Sequence, residues 1–274
     1  MSLSQAKKAR KFTTLHEGPG AFIIANAFDA GSARVLSGLG FDAIATSSGG
    51  FAGTLGRRDG RISRAEALDH ARAVVEATDC PVSADFENGF GDAPEVVAET
   101  IRLAAEAGLV GCSIEDASKN KDQPIYPFDA AVERIAAAAE VARSLDFDFK
   151  LTGRCENFLR GNPDLDDTIR RLKAYEAAGA SVLMAPGLPD LESVRAVCDA
   201  LAEPFNFMVG IPGKSFTFAE LQDAGVRRIS LATALYRSAM SGFIDAAKEA
   251  RDDGTFGFVD TAVPTPELAA FMRE

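Results

Sequence analysis

Short apolar runs alternate with longer amphipathic stretches along almost the whole chain. A polar, helix-prone segment from Ser4 to Glu17 comes first. Ala21–Phe28 then reads as a buried strand, and Asp29–Ala33 opens a helix that ends at Gly38-Leu39-Gly40. Ala43–Ser48 is the second strand, followed by Gly49-Gly50-Phe51 and an expected long loop to Arg61. Ser63-Arg64-Ala65-Glu66 is a capping box, which starts a helix running to about Thr78. The third strand is the Pro81 stretch, and Pro94 suits the first turn of the helix after it.

The same rhythm continues through strands at Gly111–Asp116, Lys150–Cys155, Ser181–Pro186, Phe205–Gly210 and Arg228–Thr233. A polar loop, Ala117–Pro127, and a helix to about Arg143 follow the fourth strand, and Thr217–Glu220 is a second capping box. The last strand leads into a helix to about Arg251, then a turn and a short helix at Pro266–Arg273. Eight strand–helix units at roughly 30-residue spacing predict a single (β/α)8 barrel of the TIM type. Residues 1–20 form an N-terminal arm, 21–233 the barrel and 234–274 the C-terminal helices. A doubly wound open sheet is the alternative, and eight units without a linker disfavour it.

Composition narrows the function. The 274 residues are 47% hydrophobic, enough for a large core, and the formal charge of −11 argues against nucleic acid or an anionic membrane as partner. Lys7-Lys8-Ala9-Arg10-Lys11, the basic cluster, is expected to be a solvated helix face. Cys80, Cys112, Cys155 and Cys198 form no C-x-x-C pattern, so neither a zinc site nor a disulfide framework is indicated. Without a spanning run or a signal-peptide core, a cytoplasmic location is expected.

Candidate chemistry lies at the strand ends, because barrel active sites form there. In Pro81-Val82-Ser83-Ala84-Asp85-Phe86-Glu87-Asn88-Gly89-Phe90-Gly91, alternation puts Ser83, Asp85 and Glu87 on one face. Side-by-side carboxylates repel, and a hard divalent cation relieves them. Ser48-Gly49-Gly50, Glu115, Arg154 and Glu156 join this mouth, and Asp29 ends the first strand. Gly213-Lys214-Ser215 lacks the first glycine of a P-loop, Cys155 alternates away from Arg154 into the core, and His16 and His70 sit on helices away from the mouth.

These residues carry a resemblance. Phe28–Arg34, Ser47-Ser48-Gly49-Gly50, Leu55–Asp59, Asp85–Gly91, Ser113-Ile114-Glu115-Asp116 and Gly153-Arg154-Cys155-Glu156 together are similar to the isocitrate lyase/phosphoenolpyruvate mutase superfamily. The resemblance implies Mg²⁺, with Mn²⁺ as a substitute, held directly by Asp85 and through water by Asp59, Glu87 and Glu115. Ser48, Gly49, Gly50 and Asn206 would bind a 2-oxo acid or dicarboxylate, and Arg154 its C2 oxygen or carboxylate. It implies C–C cleavage through a metal-bound enolate, with C–P chemistry or a non-catalytic 2-oxo acid binder as alternatives. It also implies a homotetramer whose last helices are exchanged between subunits. The loop that carries Cys in the lyases has no Cys or His here, and Ala185-Pro186 stands where the mutases place His. Glu156 or a lid residue such as Lys121 would then handle protons.

Overall fold

The structure is a computed structural model that describes residues 3–272. Eight parallel strands close into a barrel in chain order: β1 (Phe22–Ala27), β2 (Ala43–Thr46), β3 (Val82–Asp85), β4 (Gly111–Glu115), β5 (Lys150–Arg154), β6 (Val182–Met184), β7 (Phe205–Met208) and β8 (Arg228–Ser230). The strands are mostly buried on both faces because helices cover the outside and side chains, several of them polar, fill the inside. They are shorter than the sequence suggests, since the terminal residues of each apolar run belong to the turns.

The helices are α1 (Gln5–Glu17), α2 (Ala30–Gly38), α3 (Ser48–Thr54), α4 (Arg64–Ala77), α5 (Pro94–Glu106), α6 (Phe128–Ser144), α7 (Leu165–Ala178), α8 (Leu191–Ala200), α9 (Phe218–Asp223), α10 (Ala234–Lys248) and α11 (Thr265–Ala270). Both expected capping boxes form, at Ser63/Glu66 and Thr217/Glu220. A third joins Asp29 and Ser32 at the start of α2. Asp29 is therefore spent as a helix cap.

Three expectations need correction. The expected loop after Gly50 is instead helix α3, capped by Ser47, whose Oγ accepts from Gly50 N at 3.1 Å. Glycines at positions 49, 50 and 53 hid a helix that propensity alone would not support. Lys8 is not solvated: its Nζ donates to Thr78 O at 2.7 Å and to Val75 O at 3.3 Å. Its long stem lets one residue of a basic run turn inward. The last helix spans Thr265–Ala270, and Arg273, where it was expected to end, lies outside the described residues.

Helix α1 closes the lower end of the barrel. Phe12 and Ala9 pack with Ile24, Ala43, Ala45 and Val110, and Phe12 is fully buried. Truncating Phe12 to Ala would cost about 3–5 kcal/mol. At the other terminus, α10 has no buried residue, and Phe243 and Phe256 are 66% and 65% exposed. Among the described residues, no helix is long and apolar enough to cross a membrane.

Candidate active site

Strand register brings the chemistry together. Asp85 pairs in register with Ser113, and Glu115 with Arg154, so β3, β4 and β5 present their last inward side chains side by side. The backbone then turns sharply. Glu87 and Phe90 have φ of 47° and 64°, left-handed values that non-glycine residues adopt only when the surroundings enforce them. The enforcing group is Arg134 of α6, whose guanidinium donates to the carbonyls of Asn88, Gly91 and Asp92. Tyr126 stacks under that guanidinium at 4.1 Å, accepts from Asn88 Nδ2 at 2.9 Å and donates to Asp92. The turn is thus locked from outside the barrel, and Glu87 is held toward the mouth although the strand has ended.

Ser48, at the first turn of α3, ties the acids together. Its Oγ lies 2.7 Å from Asp85 Oδ2 and 3.3 Å from Asp59 Oδ1. Gly49 permits this approach, because a Cβ there would meet Thr233 Cγ2 at 2.8 Å and the Asp59 carboxylate at 3.1 Å. Gly50 N is used by the Ser47 cap and is not turned to a ligand.

Arg154 faces the acids across the mouth. Its Nε donates to Glu156 Oε1 at 2.5 Å, and its Nη1 lies 3.5 Å from Glu115 Oε2 and 3.9 Å from Asp85 Oδ1. Burial alone would lower its pKa, but Glu156, Glu115 and Asp85 raise it, so Arg154 stays charged. Burial pushes Glu115 well above the usual carboxylate range, and Glu156 and Asp85 add to the shift against the pull of Arg154. Glu87 is pushed up to about 7 by burial and then by Asp85, with Lys119 and Arg154 opposing. Its Oε1 is buried without a hydrogen-bond partner.

The mouth is a cleft of about 380 Å³, lined by Ser48, Asp59, Asp85, Glu87, Glu115 and Arg154 among others. Two residues expected at the site lie apart from it. Asn206 is buried below the cleft, donating to Ser230 Oγ at 3.0 Å and accepting from Arg228 Nε at 2.7 Å. Lys121 is exposed, and the lid lysine nearest the acids is Lys119, 3.9 Å from Glu87 Oε2.

Sequence reasoning missed Arg160, which reaches Glu115 and Glu156 from the loop after β5. It also missed the work of Asp116. This buried acid accepts from Glu156 N at 2.7 Å, Tyr175 Oη at 2.6 Å and Arg171 Nη1 at 3.3 Å, fixing the β5 turn to α7. Cys155, by contrast, is core, as alternation predicts. The signal for Arg160 was a cation beside Gly161 in a strand-end loop, which is weak without the fold.

A closed parallel barrel whose upper mouth sets clustered carboxylates against one clamped arginine belongs to the (β/α)8 class that binds ligands at its strand ends. Residues 12–251 match the model of the phosphoenolpyruvate phosphomutase family, and the chain belongs to that family. A protein from Burkholderia cenocepacia J2315, described no further than as a lyase/mutase, shares 54% identity with a TM-score of 0.96; the match covers 97% of this chain and 96% of that one. The 2,3-dimethylmalate lyase of Eubacterium barkeri is 29% identical over 257 residues, 90% of this chain and 87% of its own length. An oxaloacetate acetylhydrolase, solved with its product oxalate, is 25% identical with a TM-score of 0.88, covering 98% of this chain and 94% of its own.

Proposed function

We propose that this chain is a divalent-metal-dependent carbon–carbon lyase acting on a small 2-oxo acid or 2-hydroxy dicarboxylate. The observation that carries the reading is the division of one cleft into an acidic wall, Asp59, Asp85 and Glu87, and a basic wall built on Arg154. The residues fit a cation. Glu87 Oε1 is buried and unpaired, and its carboxyl is raised by burial and by Asp85, a condition that a bound cation relieves. Among the described residues no three such side chains converge closely enough to chelate an ion alone. That arrangement suits Mg²⁺, which takes one or two carboxylates and keeps several waters; Mn²⁺ would accept the same oxygens. Asp85 would be the direct ligand, and Asp59, Glu87 and Glu115 would act through water.

The ion supplies Lewis acidity toward a 2-oxo group. The protein's own groups do the rest. Ser48 orients Asp85 through both its Oγ and its backbone N–H, beside the place where a substrate carboxylate would enter. Arg154, clamped by Glu156, donates to the oxygen that gains charge as an enolate forms. Glu156 faces Arg154 and Arg160 with its two oxygens, which suits positioning better than proton abstraction. Cleavage of a 3-carboxylated 2-oxo acid needs only a proton delivered to carbon, so a lid without Cys or His can serve it. The mutase alternative lacks support at the end of β6, where Ala185 is buried in the core.

The test is a coupled assay for pyruvate from oxaloacetate in Mg²⁺, paired with calorimetry of oxalate binding and the Asp85→Asn variant. Product formation lost in the variant supports the lyase. Tight, metal-dependent binding with no product from any candidate substrate would favour the non-catalytic binder.

The reading extends to assembly as a homotetramer with exchanged α10 helices. The support is the exposed apolar run of α10 and the tail, including Phe243, Ile244 and Phe256, on a helix that has no fully buried residue and packs on its own barrel only through its first turn, at Leu235 and Tyr236. Deleting residues after Gly254 should reduce the solution mass toward a monomer or give aggregate; an unchanged soluble oligomer would refute the exchange.

A further inference from the structure

The loop between β5 and α7 places a second arginine on the cleft wall. Arg160 N donates to Glu156 O at 3.0 Å and to Asn157 O at 3.2 Å, and Asn162 N donates to Asn157 O at 3.0 Å. Asn157, fully buried, anchors the loop through Asp167 Oδ2 at 3.0 Å and Thr168 Oγ1 at 3.1 Å. From this fixed base the Arg160 side chain turns back over the mouth. Its Nε lies 3.2 Å from Glu156 Oε2 and its Nη2 3.6 Å from Glu115 Oε1, while the side chain remains 42% exposed.

Neither of those contacts uses Nη1. Arg154 differs: it is 13% exposed, and three carboxylates surround it. Of the two arginines lining the cleft, Arg154 is enclosed at its floor and Arg160 is half-open at its rim. Arg160 and Leu159 line that rim together.

We propose that Arg160 receives the second carboxylate of the substrate, so that the cleft selects dicarboxylates over monocarboxylates. This rests on the 2-oxo acid reading above, and it names the specificity that reading leaves open. With one end of the substrate held beside Asp85 and Ser48, the far end points away from the acidic wall, where a carboxylate would be repelled, toward the cations. Arg154 is occupied at the centre, and Arg160 is the arginine with a free edge at the rim. A guanidinium pairs with a carboxylate in a planar fork, and one already aimed by two carboxylates and a fixed loop gives up little freedom on binding. The competing role is structural: Arg160 could serve only to neutralise Glu115 and Glu156.

The test is calorimetry in saturating Mg²⁺ on the full-length enzyme and its Arg160→Met and Arg160→Lys variants. Four probes are used: oxalate and pyruvate, which carry no distal carboxylate, and 3,3-difluorooxaloacetate and 2-oxoglutarate, which do. Wild type should bind at least one distal-carboxylate probe about tenfold or more tighter than pyruvate, the size of a charge-assisted contact. Arg160→Met should erase that preference while leaving oxalate affinity within about twofold, and Arg160→Lys should restore part of it. A wild type without the preference overturns the inference. So does a Met variant that keeps the preference, or one that weakens oxalate in the same proportion, the mark of a structural role. If wild type fails to bind oxalate at all, the 2-oxo acid reading falls first and this inference falls with it.

Discussion

The two ends of the barrel bury charge in opposite ways. At the lower end Arg228 is fully enclosed, and its partners are neutral: Asn206 Oδ1 at 2.7 Å, Thr152 Oγ1 at 2.8 Å and His16 Nε2 at 3.4 Å. Burial brings Arg228 down to about 9 and, with Arg228 beside it, brings His16 down to about 3, so the ring is neutral. At the upper end, carboxylates crowd one another, Glu87 is raised to about 7, and one of its oxygens has no partner. The lower end meets its polar groups with fixed hydrogen bonds and is closed by α1. The upper end pairs its acids only in part, leaving Glu87 Oε1 without a partner, around an open cleft. Satisfied burial serves the fold, and unsatisfied burial marks the place where a ligand completes the set.

Asp85→Ala tests the upper end most severely. It should lower kcat on the order of 10³-fold, about 4 kcal/mol of barrier, and abolish the Mg²⁺ heat in a titration. Its thermal midpoint should hold or rise, because the change removes one of several crowded like charges. Activity above a tenth of wild type would break the comparison.

Arg228→Met should do the reverse. Losing the donor to Asn206 and Thr152 should cost about 1–3 kcal/mol in urea unfolding, offset in part by relief of a buried charge. The folded fraction should keep kcat within about twofold, under roughly 0.5 kcal/mol. A stability cost near zero together with lost turnover would place Arg228 in the catalytic machinery.

The two ends should also respond to pH with opposite signs. Glu87 has a folded pKa above its unfolded value of 4.5, so its contribution is present below 4.5 and is lost as pH rises through about 7. His16 has a folded pKa below its unfolded value of 6.5, so its contribution is present above 6.5 and is lost as pH falls toward about 3. In chelator-treated protein, Glu87→Gln should flatten the loss of stability from pH 5 to 8, and His16→Gln should flatten the loss from pH 6 to 4. Each difference should be on the order of 1–2 kcal/mol in denaturant melts. Identical slopes in wild type and either variant would refute the assigned burial.

The smallest effect concerns the lid. Lys119 is 58% exposed and 3.9 Å from Glu87, so solvent screens it. Lys119→Gln should change kcat/KM by about threefold, under 1 kcal/mol, and the change should shrink as salt is raised. A salt-independent loss of more than about 30-fold would give this lysine a part in proton transfer.

Much of the molecule was legible before folding. Apolar runs at regular spacing specify a barrel because both faces of every strand are covered. Asp85 and Arg154 were legible because charged residues at apolar strand ends have few places to go. Helix α3 was not, since its Gly49, Gly50 and Gly53 read as a loop, and its cap and its packing against the β1 and β8 ends supply what propensity withholds. Lys8 looked like its basic neighbours until α1 laid it against the end of α4.

The sequence by itself determined the element order, the barrel and the identity of the acidic and basic groups at the strand ends, because those depend on local period and spacing. Only the tertiary structure decided which of them meet. Arg134 locks the turn that aims Glu87 from 46 residues away, and Asp116 joins the β5 turn to Tyr175 across 59. Asn206 was drawn down to Arg228, while Arg160, four residues beyond Glu156, was lifted to the rim. Strand register and barrel closure set those meetings, and they are properties of the whole ring that no single stretch of chain contains.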